Sequence, residues 1–243
     1  NAMALSKKFN SIKYAKYPWL NDIHRDAHVQ PFFDLQNGYK RYFLKMSAKP
    51  TFKKKGEHDS FYIANDRLLF KDKSIKMPKI GTIKTHQTLR LQGKIYGARV
   101  VREADKWFIC VSMELQDYKK PRTSDGIVGV DLGLKTLAVT SNGEIFDNPK
   151  PLAKYRKKLA KHQRWLARKV KGSNNRNKQR KVISNIHQKI KNIRNDNLHK
   201  VTTQLCRENQ TIVIEDLKVK NMVKNHKLAG ALSDASFGTF RAM

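Results

Sequence analysis

Residues 127–133, IVGVDLG, form a short apolar run that one aspartate, Asp131, interrupts. A second run, TIVIEDL at residues 211–217, is interrupted in the same way by Glu215. Runs of this length and β-branched composition predict buried strands, in which an uncompensated carboxylate costs on the order of several kcal/mol. A divalent cation shared by the two carboxylates is the simplest compensation, because parallel strands place residues of matching height side by side. The two runs therefore predict a metal site suited to phosphodiester cleavage.

The chain between these two carboxylates is strongly basic. Residues 148–195 contain 17 Lys or Arg and no Asp or Glu, within a chain of 243 residues whose formal charge is +31. Such a block repels itself unless a polyanion lies nearby, so the composition favours a nucleic-acid-binding protein. A membrane protein is disfavoured, because no apolar run approaches the length of a membrane span. The predicted nucleic-acid contacts are Lys53, Lys54, Lys55, Lys135, Arg156, Lys157, Arg164, Arg168, Lys169, Arg176, Arg180 and Lys181.

The sequence predicts three parts, residues 1–46, 47–125 and 126–243. The first is helical, with apolar residues at helical spacing after Pro31, which suits a first turn; residues 1–3 are interpreted as a tag remnant. The second is a small β-barrel followed by a linker at residues 119–126. Its strands are predicted, between turn residues, at 60–64, 67–70, 74–77, 89–91, 95–102 and 106–115.

The third part combines strands and helices and so has an α/β pattern. After the Asp131 strand come a strand at 135–140, an Asn-Gly turn and a strand at 144–146. Two basic amphipathic helices separated by turn residues 172–175 predict an antiparallel hairpin, which connects the chain to the Glu215 strand. Residues 218–243 show few periodic signals.

The two cysteines, Cys110 and Cys206, are far apart and neither belongs to a Cys-x-x-Cys pair. They therefore predict neither a zinc knuckle nor a disulfide framework. Without a secretory signal, the sequence predicts a reducing, cytoplasmic location.

Several of these motifs occur in one order: GVDLGLK (129–135), AVTSNG (138–143), the basic hairpin and IVIEDL (212–217). This order resembles TnpB (OrfB-type) proteins of bacterial insertion sequences, which are similar to type V CRISPR effector nucleases. The resemblance implies a RuvC-like, RNase H-type nuclease domain, joined to an oligonucleotide-binding barrel and a short N-terminal helical part. It also implies cleavage of DNA under the guidance of an RNA, with Asp131 and Glu215 as catalytic ligands of a two-metal Mg²⁺ site.

The chain departs from that family pattern at its end. Family members continue into a Cys-x-x-Cys zinc module and a helix with a third catalytic aspartate, and neither is present in this sequence. We therefore expect a fragment or a decayed copy, with an incomplete RuvC site, zinc only in the absent segment, and little or no cleavage.

Two other interpretations remain open at this point. In a non-catalytic DNA- or RNA-binding module the acids would be structural, with Asp131 organising a turn and Glu215 lying at a helix start. A conventional DDE-type transposase shares the RNase H fold, but the sequence signature favours the resemblance to TnpB. A non-catalytic binding module sets no condition on the distance between the two carboxylates. A nuclease requires that both carboxylates lie within reach of one cation.

Overall fold

The computed structural model of the protein describes residues 1–54, 56, 58–65, 68–115 and 125–243. It is a mixed α/β structure with several small sheets, and it divides into two compact units, Asn1–Tyr118 and Lys119–Met243. Residues 119–124 of the predicted linker lie outside the described residues.

The first unit begins with helices. They are α1 (Ala2–Lys16), a 3-10 helix (Pro18–Asp22) and α2 (Arg25–Phe43). Residues 2 and 3 belong to α1, and Ala2 is only 2% exposed. Pro31 lies inside α2 rather than in its first turn. The helix starts six residues earlier, at Arg25, and its first turn contains the buried Asp26, which accepts a 2.7 Å hydrogen bond from the Ala64 backbone N–H.

The strands of the first unit form two antiparallel sheets that share a core. They are β1 (Ser60–Ala64), β2 (Leu69–Lys71), β3 (Ser74–Met77), β4 (Gly81–Lys84), β5 (Lys94–Glu103) and β6 (Lys106–Glu114). The sheet orders are β1-β5-β6 and β2-β3-β4. The shared core contains Ile63, Leu68, Ile75, Met77, Ala98 and Val100.

The prediction of a closed barrel is wrong for the part of the chain that the structure describes. A barrel requires every edge strand to pair with another strand, and here β1, β6, β2 and β4 remain sheet edges. The strands β2 to β4 are three or four residues long and complete a small meander of their own. The strand predicted at 89–91 is absent, and β4 is a strand that the sequence analysis did not predict.

The second unit has the predicted order of strand, hairpin, two helices and strand. Its elements are β7 (Ile127–Leu132), β8 (Thr136–Thr140), β9 (Ile145–Asp147), α3 (Pro151–Ala167), α4 (Asn174–Glu208), β10 (Thr211–Ile214), α5 (Val219–Met222), α6 (His226–Ala235) and α7 (Phe237–Ala242). The sheet order is β10-β7-β8-β9, with β10 parallel to β7 and the other pairs antiparallel. The Asn-Gly turn is present, and Gly143 has the positive φ of 85° that favours glycine.

The core of the second unit lies between the sheet, α4 and the last helices. The sheet contributes Val128, Val130, Leu137 and Ala138, and α4 contributes Leu198, Val201 and Leu205. The end of the chain, which showed few periodic signals, adds Leu232, Ala235, Phe237 and Phe240. Helices of four to ten residues are too short to show a clear repeat of apolar residues in the sequence. Only the structure therefore shows that these apolar residues belong to the core.

The helices α3 and α4 form the predicted hairpin. Its interior contains Leu159 of α3 with Ile186 and Ile190 of α4. The buried Gln179 donates a 3.1 Å hydrogen bond to the carbonyl of His162 and so ties the two helices together. At 35 residues, α4 is about 52 Å long.

Among the helices that the structure describes, none combines the length and the apolar character needed to cross a bilayer.

Candidate functional site

The two carboxylates of interest lie at the ends of adjacent parallel strands. The β10–β7 ladder pairs Val213 with Gly129 and Ile214 with Val130. Asp131 and Glu215 are the next residues on the two chains, and Glu215 lies one residue beyond the end of β10. If the register continued for that one residue, the two side chains would share a face about 4.8 Å apart, which is within reach of one ion.

Both carboxylates are exposed, so the expectation that they occupy core positions is wrong. Along β7, Val128 and Val130 are buried while Asp131 points to the opposite face, because successive side chains of a strand alternate. The same alternation holds at the end of β10, where Ile214 is partly buried and the next residue, Glu215, is exposed. A cation is therefore not needed to offset burial, and a metal site is favoured only by the positions of the two carboxylates at the ends of neighbouring strands.

Two glycines, Gly129 and Gly133, lie on either side of Asp131. A Cβ on Gly133 would lie 2.9 Å from the carbonyl oxygen of Thr136, so this glycine lets the chain turn closely on itself. A Cβ on Gly129 would make only an ordinary 3.7 Å contact with Ser141. Neither glycine is evidence for a bound substrate.

The part of the chain that the structure describes contains no cluster of three or more His, Cys, Asp or Glu side chains able to hold a metal. Asp131 and Glu215 thus form a pair without a third acidic ligand among those residues. Asp216 forms an ion pair with Arg241. Mg²⁺ is often held by one or two carboxylates together with water and substrate phosphates, so this pair fits that ion.

A cleft opens directly beside Glu215. It has a volume of about 700 Å³ and is formed by residues 215–221 and 223, by α7 and by Leu132 of β7. Its walls are mainly apolar, with Lys218, Lys220 and Arg241 among the lining residues. We call it the Glu215 cleft.

The predicted nucleic-acid contacts fall into three groups. Most are exposed: Lys53, Lys54, Lys135, Arg156, Lys157, Arg164, Arg168, Arg180 and Lys181. Lys169 and Arg176 are half-buried, and Lys55 lies outside the described residues. The Arg176 guanidinium donates hydrogen bonds to the carbonyls of Leu166 (2.7 Å) and Lys169 (3.0 Å), so it closes the end of α3.

Asp234, which was not among the predicted site residues, holds the hairpin in place. Its carboxylate is only 4% exposed and accepts hydrogen bonds from the backbone N–H groups of Leu152 (2.7 Å) and Ala153 (2.9 Å). It also pairs with Arg194 of α4 at 3.5 Å. Lys150, at the N-cap of α3, makes no side-chain capping bond, so Asp234 caps this helix from about 80 positions along the chain. No local pattern in the sequence could reveal that contact.

Comparison with known proteins matches residues 108–226 to the family model OrfB_IS605, described as "Probable transposase". InsQ of Escherichia coli K12, named "Putative RNA-guided DNA endonuclease", is 39% identical over 216 residues, covering 88% of this chain and 53% of that protein. A relative of the same name from Streptomyces pristinaespiralis is 34% identical over 236 residues, covering 95% of this chain and 58% of the relative. A third, from Mycobacterium tuberculosis, is 28% identical over 221 residues.

The chain spans about half the length of the curated relatives it matches. The family match extends from β6 through the Asp131 and Glu215 strands and the hairpin between them. Together, the family model and these relatives identify the chain as a member of the TnpB/OrfB family of transposon proteins.

Proposed function

We propose that this chain contributes a nucleic-acid-binding hairpin and two metal-binding carboxylates to a transposon-encoded, RNA-guided DNA endonuclease with a RuvC-like site. The names of the relatives suggest RNA guidance and DNA as the target. The observation that supports the proposal is the parallel register of β7 and β10, whose last pair, Val130 with Ile214, directly precedes Asp131 and Glu215.

Asp131 and Glu215 would hold Mg²⁺ between them. When bound, such an ion neutralises charge on a scissile phosphate and makes a bound water a better nucleophile. Asp131 lies within β7, and Glu215 follows β10 directly, so both proposed ligands are attached to the central strands of one sheet. Their exposure leaves room for a phosphate to complete the coordination.

The hairpin is proposed to bind the nucleic-acid backbone. Exposed cations of α3 and α4 provide a long positive surface, and α4 alone extends about 52 Å. Lys and Arg side chains attract phosphates without regard to sequence, which suits a surface that positions a strand rather than reads it. The proposed partners are therefore DNA and a guide RNA.

The alternative is a basic module that binds DNA or RNA without cleaving it. It is favoured by one observation, the lack of a third acidic ligand beside the pair within the described residues. It differs from the main proposal because Asp131 and Glu215 would bind no metal ion and take no part in catalysis.

The test measures binding and cleavage of labelled single-stranded DNA by the 243-residue chain, with Mg²⁺ or Mn²⁺ present. We expect tight binding at low salt and cleavage near background, because two carboxylates alone hold the ions weakly. Robust cleavage that disappears in Asp131→Ala would contradict the two-ligand argument. Failure to bind DNA at low salt would contradict the proposed function itself.

A further inference from the structure

The Glu215 cleft adjoins the proposed metal site, because Glu215 belongs to both. Residues 215–221, which leave β10 and enter α5, form one wall, and Phe237, Gly238 and Arg241 of α7 form another. Leu132, the residue after Asp131, also lines the cleft. A strand whose phosphate lies against the two carboxylates would therefore pass the mouth of this cleft.

The walls of the cleft combine apolar and cationic groups with the carboxylates of Glu215 and Asp216, the second of which pairs with Arg241. Leu132, Leu217 and Val219 pack against the core while remaining partly exposed, and they present apolar surface to the cleft. Lys218 and Lys220 are exposed residues of the same segment. A nucleotide has a flat apolar base beside an anionic phosphate, and it complements both kinds of surface.

We propose that the Glu215 cleft receives the base of one nucleotide adjacent to the scissile phosphate of a single-stranded nucleic acid, while Lys218 or Lys220 contacts a neighbouring phosphate. The volume of about 700 Å³ lies within the range of small-molecule sites, about 300–1,000 Å³. The proposal rests on the proposed function, because the strand must run past Glu215. It assigns a positioning role to residues that touch the substrate but not the reacting atoms.

Gly238 offers a way to fill the cleft without disturbing the fold. It lines the cleft, and a Cβ built on it meets no heavy atom within 4 Å. Gly230 in α6 is equally exposed and equally open, yet it does not line the cleft. The substitutions Gly238→Leu and Gly230→Leu therefore form a matched pair that differs in access to the cleft.

The experiment compares the affinity of the full chain for a thymidine oligonucleotide and for an abasic phosphate chain of the same length, at constant low salt. The wild-type protein should prefer the oligonucleotide with bases by about tenfold, the contribution expected for one docked base. Gly238→Leu should lose that preference while retaining its affinity for the abasic chain. Gly230→Leu should behave as wild type.

Two results would overturn the inference, and they bear differently on the proposed function. A base preference that is unchanged in Gly238→Leu, or absent from wild type although both chains bind, rejects the cleft and leaves hairpin binding intact. Absence of binding to either chain rejects both the cleft and the nucleic-acid-binding function on which it rests.

Discussion

Replacing Asp234 with alanine is expected to lower the free energy of unfolding of the second unit by about 3–5 kcal/mol. The change removes a buried carboxylate and leaves two N–H groups at the start of α3 without their acceptor. It also leaves Arg194, whose side chain is only 20% exposed, as a largely buried charge without its partner. Unfolding in urea can be followed through Trp165, since Trp19 and Trp107 belong to the first unit and can be replaced by phenylalanine.

Two controls separate this effect from a general loss of charge. Asp234→Asn keeps one acceptor oxygen for α3 but loses the charge, so its destabilisation should be intermediate. Asp216→Ala removes an exposed carboxylate that pairs with Arg241, and it should cost less than about 1 kcal/mol. An unchanged urea midpoint for Asp234→Ala would show that the buried contacts do not hold the hairpin.

The affinity of the chain for single-stranded DNA is expected to fall by roughly 300-fold to 16,000-fold between about 50 and 200 mM salt, if roughly 6 to 10 phosphates are neutralised. A plot of log affinity against log salt concentration has a negative slope, and each lost phosphate contact makes that slope shallower by about 0.7 for a single strand. Replacing four exposed hairpin cations with glutamine should therefore reduce that slope by about 3. The four are Arg156, Lys157, Arg164 and Arg168.

A matched variant distinguishes the hairpin from the total charge of the protein. Four exposed lysines of the first unit, replaced by glutamine, remove the same number of charges. They are Lys7, Lys8, Lys40 and Lys45. Titrations across a salt series should show a much smaller change of slope for this variant. Equal changes in the two variants would mean that binding follows net charge and not the hairpin surface.

The architecture of the second unit could be predicted because its signals are local. The strands around Asp131 and Glu215, the Asn-Gly turn with Gly143, and the long amphipathic helices all depend on residues close in sequence. The predicted adjacency of the two strands is confirmed by the parallel pairing of β10 with β7, and the proximity of the two carboxylates stays a prediction from that topology. Their exposure could not be inferred, because an apolar run does not reveal which of its residues face away from the core.

Features that depend on distant contacts were missed. The strands of the first unit were largely located, but whether they close into a barrel depends on edge pairing, which the local pattern does not encode. The capping of α3 by Asp234 joins residues about 80 positions apart. Arg176 looked like a phosphate contact in a basic run, yet its guanidinium binds the carbonyls at the end of its neighbouring helix.

The central claim is that Asp131 and Glu215 share one divalent cation, and Mn²⁺ binding measured by electron paramagnetic resonance tests it most directly. Asp147→Asn, which changes an exposed acid on β9 of the same sheet, serves as the control and should leave affinity unchanged. Asp131→Asn and Glu215→Gln should each weaken binding by about tenfold or more, and the double variant should add little, because both remove ligands of the same ion. Full Mn²⁺ affinity in either single variant, or losses that simply add in the double variant, would contradict a shared site.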